Sequence, residues 1–153
     1  MTSILENTQK LLRVKRVVLR NSFVNINDEI EAGELATIAS TAQNFRGVAR
    51  VKETKFENDK SEWWEYSFYY SVGIRLIAED DNDVVPLVEI KALFSAIYIS
   101  DTNLSEEQIE VFSKNNVGYH VWPYWREFMQ SSCMRLSIDP IDAPLYFCPP
   151  PNE

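Results

Sequence analysis

The most regular stretch of the chain begins at Trp64. Its even positions are Trp64, Tyr66, Phe68, Tyr70, Val72, Ile74 and Leu76, and its odd positions are Glu65, Ser67, Tyr69, Ser71, Gly73 and Arg75. Successive side chains of a strand point to opposite faces, so this stretch predicts a strand with one face almost wholly apolar. Three further stretches read as strands with a weaker beat. Leu11 to Ile26 is rich in Val and Leu with Arg and Lys interleaved. Phe45 to Phe56 carries Val48, Ala49 and Val51, then Lys52-Glu53-Thr54-Lys55. Val84 to Ser100 has Pro86 near its start, which suits an edge or the first residues of a strand. The run Glu79-Asp80-Asp81-Asn82-Asp83 predicts a turn. Short links between successive strands favour an antiparallel meander. The segment Asp28 to Asn44 has only a modest apolar stripe, and both a short helix and an irregular loop fit it.

The second half changes period. Ser105-Glu106-Glu107-Gln108 is a capping box, with Leu104 and Ile109 at the staple positions. The helix it opens should stop before Gly118. A longer helix is expected around Trp122 to Arg135, where Trp125, Phe128, Met129, Ser132 and Leu136 share one stripe. Pro123 needs a place in the first turn of that helix or a kink. Four strands followed by helices predict an α+β domain, a four-stranded antiparallel sheet with helices packed on one face. That domain should span residues 1–147. The tail Cys148-Pro149-Pro150-Pro151-Asn152-Glu153 suits neither helix nor sheet interior and is expected to be disordered.

Charge and composition narrow the function. With 153 residues the chain fits one ordinary domain, and 45% apolar with 12% aromatic residues is enough for a real core. The net charge of −8 argues against nucleic-acid binding and against a polybasic membrane anchor. No apolar run reaches the roughly 18 to 20 residues of a membrane span. The start MTSILENTQK lacks a signal-peptide pattern. Two cysteines, Cys133 and Cys148, are too few for a disulfide framework. These features together predict a cytoplasmic protein with free thiols.

Catalytic patterns are scarce. His120 is the one histidine, and Cys133 lies thirteen residues further along the same candidate helix, roughly 20 Å away at 1.5 Å per residue. A structural role for His120 outweighs an enzymatic one. Metal-ligand spacings, a nucleophile elbow and a P-loop are missing, so neither a cofactor nor an ATP-driven mechanism is expected. The acidic run at residues 79–83 fails the calcium-loop template and reads as a solvated turn.

What remains is a surplus of rings. Trp63-Trp64-Glu65-Tyr66 and Trp122-Pro123-Tyr124-Trp125 hold all four tryptophans. Most must pack in a core. Yet neighbours on a strand face opposite ways, so Trp63 and Trp64 cannot enter one core together, nor can Tyr69 and Tyr70. Rings left over predict an oligomer interface or a macromolecular binding surface.

The second half also resembles the SecB family of export chaperones. Val121-Trp122-Pro123-Tyr124-Trp125-Arg126-Glu127 is similar to that family's L/F-P-Y-A-R-E run. Ile138-Asp139-Pro140-Ile141-Asp142-Ala143-Pro144-Leu145-Tyr146 resembles its L-x-P-V-N-F-D-A-L-Y/F segment. Phe94-Ser95-Ala96-Ile97 and Ser22-Phe23 echo shorter strand motifs. The resemblance implies a dimer-of-dimers homotetramer that holds unfolded or precursor polypeptides without ATP. It also allows a dedicated relative that shields the antitoxin of a toxin–antitoxin system. Client-binding walls are then expected at Val48, Val51, Trp63, Trp64, Tyr66, Phe68 and Tyr70. The motif residues Trp122, Pro123, Tyr124, Trp125, Arg126 and Glu127 are expected at an oligomer interface. Leu87 and Glu89 match part of the family's patch for the SecA motor. The acidic part of that patch is replaced, with Arg20 and Val24 nearby.

Overall fold

The computed structural model describes residues 3–80 and 85–142. Its elements run α1 (Ile4–Leu11), β1 (Arg13–Ile26), a short 3-10 turn at Ala32–Thr37, β2 (Ser40–Glu57), β3 (Glu62–Ala78), β4 (Pro86–Ser100) and α2 (Glu106–Leu136). The four strands form one antiparallel sheet in the order β1-β4-β3-β2. β2, β3 and β4 make the expected meander. β1 instead joins the far edge beside β4, and the long connection through the 3-10 turn carries the chain from one edge of the sheet to the other.

Irregular spacing in β1 has a simple cause. The pairing of β1 with β4 shifts between Val14 and Arg16 and again between Leu19 and Asn21. Each shift inserts one residue and flips the later side chains. Val14, Val17, Leu19, Val24 and Ile26 therefore share the face of Tyr98, Ala96, Phe94, Ile90 and Val88. A third shift, between Val48 and Arg50 of β2, puts both Val48 and Val51 on the face of Tyr70 and Phe68.

The core lies between this face and α2. Tyr66, Phe68, Tyr70, Val72 and Ile74 of β3 and Val88, Ile90, Phe94 and Tyr98 of β4 are all buried, as the alternation from Trp64 predicts. Phe68, Tyr98 and Phe112 of α2 form a three-ring cluster with centroids 5.0–5.5 Å apart. Tyr66 lies at its border. Its hydroxyl accepts from the Leu104 N–H at 2.7 Å and sits 2.6 Å from Glu53 Oε1, tying β2 and β3 to the turn that leads into α2.

α2 opens as expected: Ser105 Oγ accepts from the Gln108 N–H and Gln108 Oε1 accepts from the Ser105 N–H. It then differs from expectation, because one helix of 31 residues runs through both Gly118 and Pro123. An interior Gly costs about 1 kcal/mol and an interior Pro about 3 kcal/mol relative to Ala. Burial of Phe112, Val117, Val121, Trp122, Trp125 and Met129 along the same helix offsets both. The helix ends at Ser137 in the left-handed region (φ 57°), with the Ile138 N–H bonded to the Cys133 carbonyl. α1 was not expected from the sequence. Ser3 and Glu6 close a capping box at its start, and it packs on α2. Cys148, the tail and most of the acidic turn lie outside the described residues.

Candidate polypeptide-binding surface

Alternation places the paired rings on opposite sides, as predicted. Trp64 shares the helix-bearing face, half-buried at its margin with Lys55 Nζ 5.7 Å from the ring. Trp63 lies on the helix-free face, stacked on Phe56 at 5.7 Å. Tyr70 is in the core, and Tyr69 is covered on the other face by the Arg50 guanidinium at 4.0 Å.

The seven candidate client-binding residues separate by depth. Tyr66, Phe68 and Tyr70 are fully enclosed in the protomer and have no surface to offer. Val48, Val51, Trp63 and Trp64 are half-buried and accessible along one side. An apolar face read from alternation is the face that folds inward, so the strongest pattern marks the core rather than the binding wall.

The motif segment divides likewise. Trp122 and Trp125 turn into the core, Pro123, Tyr124 and Glu127 face outward, and Arg126 is half-buried. The exposed large side chains are mostly others: Tyr119, Tyr124 and Met134 on α2, Val14, Leu19 and Val24 on β1, and Phe23, Phe45 and Phe56. Tyr119 is 64% exposed and Met134 76%. α2 thus carries apolar side chains around its whole circumference, as a helix covered on both sides would.

Tyr119, His120, Trp122, Pro123, Arg126, Glu127 and Gln130 line an open cleft of about 710 Å³ along α2. Arg46 of β2 reaches over Trp122 at 5.5 Å. Arg126 Nε is buried there without a hydrogen-bond partner. His120 is held by structure: its Nδ1 lies 2.8 Å from the Tyr98 hydroxyl. Burial lowers the His120 pKa, keeping the imidazole neutral, and burial raises that of the Tyr98 phenol. Cys133 is enclosed in the core. Of the two possible motor-docking residues, Leu87 is buried and Glu89 is paired with Lys91 at 2.7 Å. Among the described residues, no three His, Cys, Asp or Glu side chains gather as a metal site would need, and no helix is long and apolar enough to cross a membrane.

No family model and no curated protein matches the chain. A comparison of folds does find a match: Mycobacterium tuberculosis Rv1957, a SecB-like chaperone solved in complex with a ChAD peptide from the Rv1956 HigA1 antitoxin. The two superpose with a TM-score of 0.62 over 95% of this chain and 98% of that one, at 11% identity. The order of strands and helices, and not the letters, carries the likeness. The chain has the SecB-like chaperone fold.

Proposed function

We propose that the protein is an ATP-independent holdase of the cytoplasm, binding unfolded polypeptides and delaying their aggregation. The observation that carries this is the apolar surface left open beside α2, the cleft walled by Tyr119, Trp122 and Pro123, on a fold shared with a polypeptide-binding chaperone. Val48, Val51 and Trp64 extend the surface at the sheet margin, and Trp63 adds an apolar edge beyond it. Each apolar client side chain buried contributes about 1.5–3 kcal/mol before ordering costs, so one site binds weakly. Several sites on one oligomer, engaged by one long chain, bind far better through effective concentration. The uncovered stripe on β1, together with Tyr124 and Met134 on α2 outside the cleft, supports such an assembly, and a dimer of dimers is the form the resemblance implies. Docking on a SecA-type motor would use Leu87 and Glu89 and would have to break the Glu89–Lys91 pair.

Light scattering from an aggregation-prone client refolding without ATP tests the reading. Stoichiometric protein should suppress the signal, and Tyr119→Ser, which removes a wall of the cleft, should restore part of it. Unchanged aggregation with the wild-type protein removes the proposal.

A second reading is a chaperone dedicated to one antitoxin. It is favoured by the antitoxin peptide bound to Rv1957. A toxin–antitoxin pair encoded beside this chain, together with capture of that antitoxin alone from lysate, would select it. Capture of many unfolded precursors would select the generalist.

A further inference from the structure

The strand registers sort the charges in a way that the net charge conceals. Arg13 and Arg16 of β1, Arg50 and Lys52 of β2, Arg75 of β3 and Lys91 of β4 all project from the helix-free face. Lys15 reaches the same face to bond Glu65 at 2.6 Å. Only Glu65 and Glu89 project there from the strands, and both are already paired, Glu89 with Lys91. Arg13 reaches Asp101 at 3.5 Å. Arg16, Arg50, Lys52 and Arg75 have no carboxylate partner among the described residues. A chain of net charge −8 therefore presents one clearly basic surface.

That surface also has an apolar relief. Phe45, Gly73, Lys91 and Phe23 lie in one row across the sheet. Gly73 leaves room for the Phe45 ring, which a Cβ at that position would strike. Phe23 and Phe45 are 48% and 46% exposed. Beside them is a concavity of about 320 Å³ that Asn21, Ser71 and Leu93 help to line.

We propose that this helix-free face docks an acidic polypeptide segment, with an apolar side chain of that segment seated between Phe23 and Phe45. Charge complementarity selects the partner: guanidinium and ammonium groups that meet no carboxylate stand on three of the four strands around an apolar dip, Arg75 among them with its Nε donating to Gln43 Oε1 at 2.9 Å. A nucleic acid fits less well. Its bases need free ring faces, whereas Lys91 lies 4.8 Å from the Phe23 centroid and Arg50 covers Tyr69. The acidic remainder of the molecule also repels a long polyanion more strongly than a short acidic segment. This site is separate from the α2 cleft and does not depend on holdase activity.

The test is fluorescence anisotropy with three labelled probes: a Glu-Glu-Leu repeat peptide, a Lys-Lys-Leu repeat peptide and a single-stranded oligonucleotide of similar length. The acidic peptide should bind saturably, and the basic one should not. Reversing Arg50→Glu with Lys52→Glu should weaken acidic-peptide binding about tenfold. Arg16→Glu with Arg75→Gln provides an independent pair, should either set disturb folding by circular dichroism. Salt near 0.5 M should weaken the same binding. Suppression of client aggregation should be unchanged in both pairs. The proposal is overturned by non-saturable binding of the acidic peptide, by equal binding in both variant pairs, or by tighter binding of the oligonucleotide through the same residues.

Discussion

On the helix-bearing face, Phe68, Tyr98 and Phe112 interlock at 5.0–5.5 Å and shut water out. On the opposite face of the same strands, Phe23 and Phe45 stand half in solvent among arginines and lysines. One set of rings holds the fold together, and the other costs little to change. The difference teaches that a ring's role is set by what lies above the strand. α2 closes over the middle of one face, leaves Val14, Leu19 and Val24 of β1 and its own outer side exposed, and does not reach the other face.

Several substitutions would break or sharpen this contrast. The largest effect is expected from Phe68→Ala, which removes a ring at the centre of the cluster and should cost about 3–5 kcal/mol in urea unfolding. Phe45→Ala on the bare face should cost under about 1 kcal/mol; an equal loss would abolish the distinction. Pro123→Ala restores a backbone donor inside α2 and should raise stability by up to about 3 kcal/mol. Tyr66→Phe strips the buried Leu104 N–H of its acceptor and should cost about 1–3 kcal/mol.

The smallest effect concerns His120. Its folded pKa lies below the unfolded value near 6.5, so the unfolded chain binds more protons below that pH. The contribution of the neutral ring is full above about pH 6.5 and falls as pH drops from there through the folded pKa. Unfolding midpoints measured from pH 7.5 downward should show this decline, and His120→Gln should remove that part of it.

Much of the fold is legible in the residues, and particular features explain the rest. β3 is readable because Tyr66 to Ile74 alternates without interruption. β1 and β2 are blurred by register shifts near Lys15, Arg20 and Ala49, which no single-strand periodicity reveals. Gly118 and Pro123 look like helix boundaries because their local cost is visible in the sequence, while the burial that outweighs it is tertiary. α1 has a readable signal in Ser3 and Glu6, but it is short. The candidate site was partly legible: Trp63, Trp64, Val48 and Val51 keep accessible surface, whereas Tyr66, Phe68 and Tyr70 support it from within. Tyr119 and the basic face could not be found from spacing alone. The first depends on which side of α2 meets the sheet, and the second on pairings between strands distant in sequence.

The most direct test of the central claim replaces Tyr119 in one variant and Phe45 in another with a photo-reactive benzoylphenylalanine and irradiates each with a permanently unfolded client. With a client that has no acidic runs, the account predicts crosslinks from position 119 and few from position 45. Crosslinks from position 45 alone, or from neither position, would contradict it.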